Sequence, residues 1–188
     1  MRKNSVHQLT ISALLIALGV LIPMIMPKIV IGPASYTLAS HVPLFVAMFF
    51  SPTVAIAVAL GTAFGFLMTT PLIIALRALS HIIFAVLGAL YLQKHPGIVL
   101  NQKQFQWFNV VIGLIHSVCE VLVVALFSLV GTVSGTTYGG SAFVFYFVFL
   151  GIGGFIHSLI DYNIAFFVVR SLSKSFKIPV FLQAKVTS

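Results

Sequence analysis

The chain has 188 residues, of which 60% are hydrophobic and only 6% charged, and its mean hydropathy is +1.17. A water-soluble domain of this size could not cover its surface with so few charges, so composition excludes one and points to an integral membrane protein. The net charge of +8 does not indicate nucleic-acid binding, because the positive residues are spread thinly over loops and termini, with no basic face interleaved with aromatics.

The apolar runs are continuous rather than alternating, which favours helices over a β-barrel. At roughly 20 apolar residues per crossing of a ~30 Å core, the chain predicts a single all-α domain over 1–188 with six transmembrane helices. The first covers 9–26. It follows Arg2 and Lys3 as a signal sequence would, but the run is long and no small-x-small cleavage site follows, so it reads as a retained helix. Residues 28–37, with Gly32 and Pro33, form a first loop. The second helix, 38–50, is short, and Pro43 predicts a kink in it. Ser51 and Pro52 turn into the third, 53–68. A turn at Thr69 to Pro71 leads to the fourth, 72–93, and the polar stretch Lys94 to Gln104 to the fifth, 105–130. The Gly-, Ser- and Thr-rich segment 131–141 reads as a flexible loop before the sixth, 142–172, and a basic tail.

Six spans put both termini on one side, together with the connection between helices 4 and 5. That side would carry Arg2, Lys3, Lys94, Lys103, Arg170, Lys174, Lys177 and Lys185, against Lys28 alone opposite. The positive-inside rule then makes the termini cytoplasmic in a multi-pass cell-membrane protein, with the loops after helices 1, 3 and 5 facing outward. Trp107, near the cytoplasmic end of helix 5, suits an interfacial anchor.

Three apolar segments each carry two ionisable residues four apart: Arg77 and His81, His116 and Glu120, His157 and Asp161. Such a pair occupies one helix face. Glu120 and Asp161 are the chain's only acidic residues. An ionisable group at membrane depth is costly unless paired or hydrated, and so marks a functional site by default. One reading is a shared pocket for a small polar ligand. The other is purely structural: Arg77 neutralises a carboxylate and the histidines satisfy neighbouring polar groups. His41, at the outer end of helix 2, could complete a pocket. Tyr36 and Tyr138 lie in outward loops that could close over it.

Ala13 and Ala17 form a smooth stripe on helix 1 that another helix could approach closely. Helix 3 carries similar stripes, at Ala55, Ala59 and Ala63 and at Ala57, Gly61 and Gly65, which read as internal packing. No phosphate-loop, G-x-S-x-G or H-E-x-x-H motif occurs, so the chain has no sequence basis for hydrolysing ATP or for acting as an enzyme. Cys119 is the single cysteine, which excludes a thiolate metal cluster and an intrachain disulfide, and no metal site is assigned.

Taken together, the size, the six helices, the cytoplasmic termini, the long first outward loop, the Ala13/Ala17 motif and the polar faces on helices 4 to 6 resemble the substrate-binding S-components of energy-coupling factor (ECF) vitamin transporters. The resemblance covers essentially the whole chain. It implies that Ala13 and Ala17 contact a membrane-embedded coupling subunit, and that Arg77, His81, His116, Glu120, His157 and Asp161 are ligand contacts. It also implies a mechanism: capture of a vitamin from outside, closure of the loops, association with the coupling subunit and two ATPases that use ATP and Mg, and toppling to release ligand inside. No cofactor is expected in the chain itself. The tryptophan-rich pockets of thiamine- and riboflavin-type members are missing, and biotin-type members match this concentration of charges and histidines poorly. Hydroxymethylpyrimidine or pyridoxine-like compounds fit first and niacin next. A different class also accounts for the histidines: a b-type haem cytochrome using His41, His81, His116 and His157 as axial ligands.

Overall fold

Prolines and small polar residues, more than hydropathy, fix where each element begins. The computed structural model describes residues 2–31, 34–130 and 147–187. Tyr138, the loop 131–141 and the first residues of the expected sixth helix, 142–146, lie outside them. Helix α1 runs Arg2–Ile25, and the Met26 N–H closes it on Ile22 at 2.9 Å just before Pro27.

The expected first loop is instead a β-hairpin, β1 (Lys28–Ile31) and β2 (Ala34–Thr37), with Lys28 opposite Thr37 and Ile29 opposite Tyr36. The fold is therefore not purely α-helical. The residues explain why: Ile, Val, Tyr and Thr fit a pleated pair, and Leu38 ties the hairpin base to the Pro27 carbonyl at 3.2 Å.

The second helix is also shorter than expected. Helix α2 covers only Val42–Met48, about 10 Å of rise, so it cannot cross a bilayer as a continuous helix. Pro43 sits in its first turn rather than kinking it, where a missing N–H costs nothing. Residues 38–41 turn into α2 with Ala39 at φ 65°. Leu44, Phe45, Val46, Ala47 and Met48 are all buried, so α2 is a central strut rather than an outer wall.

Helix α3 (Pro52–Thr69) starts on a Ser51 cap that accepts the Val54 N–H at 3.1 Å. Helix α4 is Leu72–Lys94, followed by a 3₁₀ turn at Pro96–Leu100. Helix α5, Gln102–Val130, is capped by the Asn101 side chain, which accepts the Lys103 and Gln104 N–H groups. A π-helical turn, Phe147–Gly153, opens α6, Gly154–Leu172. The supposed tail forms α7, Pro179–Thr187, which is anchored by buried Ile178, Val180, Phe181 and Ala184. Among the described residues, five helices are long and apolar enough to span a membrane: Val6–Ile25, Pro52–Thr69, Leu72–Lys94, Gln102–Phe127 and Phe147–Leu172.

The α3 stripes do pack internally. Gly61 lies against Ile16 and Gly65 against Val20, and Ala55, Ala59 and Ala63 are buried. The chain ends converge on one end of the molecule. His7 and Gln8 of α1 line a common cavity with Lys177 and Leu182, α7 packs on the 3₁₀ turn, and the Val180 N–H reaches the Phe49 carbonyl at 3.4 Å. Lys94, Lys103, Arg170, Lys174, Lys177 and Lys185 belong to this end and are exposed, whereas the hairpin lies at the other. Trp107 is 73% exposed, as an interfacial anchor requires.

Candidate functional site

Three helices and one turn meet beneath the hairpin. Helix α4 supplies Arg77 and His81, α5 His116 and Glu120, and α6 His157 and Asp161, while the turn into α2 adds Ser40 and His41. The i, i+4 spacing presents each helical pair on one face, and all three faces point into one chamber.

Its first half centres on Glu120, which is 4% exposed. Arg77 Nη2 donates to both Glu120 oxygens at 3.1 Å. His81 Nε2 lies 3.1 Å from Oε1, His116 Nε2 3.7 Å from the same oxygen, and the two imidazole nitrogens 3.2 Å from each other. Gly154 of α6 lies beside this carboxylate, where a Cβ would make only ordinary contact with Oε2 at 3.5 Å.

The second half centres on Asp161, fully buried. Its oxygens accept the backbone N–H groups of Ala39 and His41, each at 2.9 Å. His41 Nδ1 and His157 Nε2 approach Oδ2 at 3.2 and 3.4 Å, and Ser40 Oγ lies 3.1 Å from His157 Nε2. The carboxylate thus holds the left-handed turn at Ala39, a conformation that costs energy for a residue with a Cβ. His41 joins the halves, its ring centre 5.0 Å from His81, 4.6 Å from His116 and 5.1 Å from His157. Below them is an apolar floor in which Phe84 lies 4.8 Å from His116 and Phe45 stacks on Tyr162 at 4.4 Å.

A cavity of about 220 Å³ opens beside the first half, bordered by Lys28, Ser40, His41, Arg77, His81 and Glu120. Arg77 Nε is buried without a hydrogen-bond partner. His116, His157 and Asp161 stand behind this wall rather than in it. Tyr36 fastens the hairpin to α6: its hydroxyl donates to the Phe149 carbonyl, and its ring lies 5.7 Å from His157. Gly153 makes this possible, since a Cβ there would sit 2.8 Å from Tyr36 Cζ. Burial pushes the Tyr36 phenol above its ordinary pKa, so it remains a donor at neutral pH. A larger apolar groove, about 860 Å³ between α4 and α5 and lined by Tyr91, Trp107 and Phe108, contains none of the paired residues.

Sequence reading singled out neither Lys28 nor Ser40. The signal for Lys28 was its isolation as the one cation expected on the outer side. Ser40 is marked only by adjacency to His41. Ala13 and Ala17 lie far from the chamber logic altogether: both are exposed on α1, beside exposed Leu14, Leu18 and Leu21, opposite the face packed on α3.

The haem reading fails on geometry. Imidazoles on both faces of a haem iron hold their ring centres on the order of 6 Å apart with a porphyrin between them. Here His81 and His116 are 4.7 Å apart and in direct nitrogen contact, and His41 lies 5.0, 4.6 and 5.1 Å from His81, His116 and His157.

No family model matches the chain, and no solved structure matches it. Among curated proteins, it is 44% identical over 186 residues to a niacin transporter, NiaX, of Lactococcus lactis subsp. cremoris (strain MG1363), covering 98% of this chain and 82% of the relative. The chain is a multi-pass membrane protein and belongs to the S-components of ECF vitamin transporters.

Proposed function

We propose that this S-component captures niacin, pyridine-3-carboxylate, from outside the cell membrane and hands it to an ATP-driven uptake machine. The similarity to a niacin transporter supports the choice of vitamin, and the observation that carries it is Arg77. Glu120 fixes its guanidinium through one nitrogen, and Arg77 borders a cavity that Lys28 also lines. Two cations beside an open space suit a small carboxylate. His41 and His81 line the same cavity and give it polar ring edges beside the two cations. Hydroxymethylpyrimidine and pyridoxine, ranked first on sequence, carry no carboxylate and fall behind niacin.

The end rich in lysine and arginine faces the cytoplasm and the hairpin faces outward, so ligand enters past Tyr36 and Lys28. Ala13 and Ala17 offer the coupling subunit a smooth exposed face. The coupling subunit and two ATPases with their Mg-ATP supply the energy. Calorimetry on the detergent-purified chain tests the reading. Niacin should bind tightly without ATP, and nicotinamide, pyridoxine and hydroxymethylpyrimidine far more weakly. Tight binding of an uncharged vitamin with none of niacin would overturn it.

A further inference from the structure

Glu120 Oε1 is crowded, with Arg77 Nη2 and His81 Nε2 each 3.1 Å away and His116 Nε2 at 3.7 Å. His81 Nε2, His116 Nε2 and Glu120 Oε1 form a triangle with edges of 3.1, 3.2 and 3.7 Å. A neutral imidazole nitrogen presents either one N–H or one lone pair. With the proton on His81 alone, Oε1 is satisfied at 3.1 Å but the His116 lone pair faces it at 3.7 Å. With the proton on His116 alone, the His81 lone pair does so at 3.1 Å. With protons on both, two N–H groups meet head-on at 3.2 Å. A cation at the centre of the triangle replaces every one of these conflicts with a bond. The edges also match those of a tetrahedron with bonds of about 2.0–2.1 Å, whose corners lie about 3.4 Å apart.

We infer that His81, His116, Glu120 and His41 bind a divalent first-row transition cation of the zinc or cobalt type in the chamber. One ligand atom from each of the four residues lies within 4.8 Å of all the others. His41 adds an independent feature. Its Nδ1 faces Asp161 at 3.2 Å, the outer-shell carboxylate arrangement that orients a metal-bound imidazole and leaves the opposite nitrogen for the ion. Three imidazoles and one carboxylate suit zinc or cobalt and not magnesium or calcium. Charge points the same way. Glu120 and Asp161 against Arg77 leave the buried cluster at one negative charge with neutral histidines. A dication turns that to one positive charge, which a monocarboxylate neutralises. That last step rests on the niacin reading; the ligand geometry does not.

The test uses the full-length, chelator-stripped protein in detergent. Titration with cobalt(II) should give a visible ligand-field band saturating at one equivalent, which zinc abolishes by displacement. His81→Gln and His116→Gln should each weaken cobalt binding more than roughly 100-fold, beyond what outer-shell changes cause, whereas His7→Gln and His95→Gln should leave it unchanged. Thermal unfolding guards against misfolding: zinc should raise the melting temperature of the wild type and of the His7 and His95 variants only. No band, or one that survives both chamber substitutions, overturns the metal site. Niacin calorimetry with and without chelator separates the two proposals: tight binding without any cobalt band rejects the metal alone, and a band without niacin binding rejects the vitamin alone.

Discussion

Glu120 and Asp161 look equivalent in sequence: each is a carboxylate four residues after a histidine in an apolar helix. The structure puts them to different uses. Glu120 is held by side chains, Arg77 and His81, and borders the cavity. Asp161, fully buried, also faces the His41 and His157 rings, but it alone accepts backbone N–H groups, those of Ala39 and His41. A side-chain partner can be released or shared when a ligand arrives, whereas a backbone partner is part of the fold. Asp161→Ala therefore gives the largest expected effect. It strands two buried N–H groups and frees the turn at Ala39, at a cost of about 3–5 kcal/mol, the range for breaking a buried charged pair. Denaturant or thermal unfolding in detergent measures it. If Asp161→Ala unfolded like wild type and lost only ligand, the two carboxylates would have to exchange roles.

Arg77→Met sharpens the contrast from the other side. It should lower niacin affinity by about 1.5–3 kcal/mol, the worth of a hydrogen bond to a charged group, and nicotinamide affinity much less. Pairing it with Glu120→Gln tests whether the guanidinium acts on ligand directly. The double variant should unfold closer to wild type than Arg77→Met alone, because Glu120 is no longer left charged without a partner, yet niacin affinity should stay low.

This contrast marks the limit of what residue spacing carries. The i, i+4 pairs identified all three helix faces, because helix periodicity fixes which residues share a face. The pairing of Arg77 with a carboxylate was also legible, since a buried charge needs a partner. What spacing could not convey was that Asp161 would spend its oxygens on the turn at Ala39 and His41, more than a hundred residues away. Hydropathy likewise read 38–50 as one helix. The obstacle was local: Pro43 starts a helix more readily than it kinks one, and Asp161 stabilises a turn just before it. The hairpin was hidden by its brevity, as two strands of four residues leave too few positions for alternation to show. The tail helix α7 escaped notice because Lys174, Lys177 and Lys185 drew attention while Val180, Phe181 and Ala184 did the packing.

The hairpin's fastening should be weaker than the Asp161 anchor. Tyr36→Phe removes only the hydroxyl given to the Phe149 carbonyl and should cost about 1 kcal/mol. Its sharper readout is kinetic: niacin should dissociate faster if the hairpin is the outward cover. Gly153→Val, which drives a side chain into the Tyr36 ring, should accelerate dissociation further. An unchanged off-rate in both would place the ligand's exit elsewhere.

The two faces of α1 provide the smallest stability effect and the cleanest separation of folding from coupling. Its Gly19 face packs on Thr62 of α3, and its Ile16 and Val20 side chains fill the space above Gly61 and Gly65. Adding a side chain at Gly61 must therefore displace Ile16 and destabilise the fold. Ala13 and Ala17 lie exposed on another face, and a leucine at either should change the melting temperature by no more than about 0.5 kcal/mol equivalent. Niacin binding to the isolated chain should also be unchanged. Uptake by cells carrying the complete transporter should nevertheless fall, because a smooth stripe that a partner helix approaches closely cannot accommodate the added side chain. Normal uptake with Ala13→Leu and Ala17→Leu combined would move the coupling surface to a different face of the molecule, whatever the vitamin proves to be.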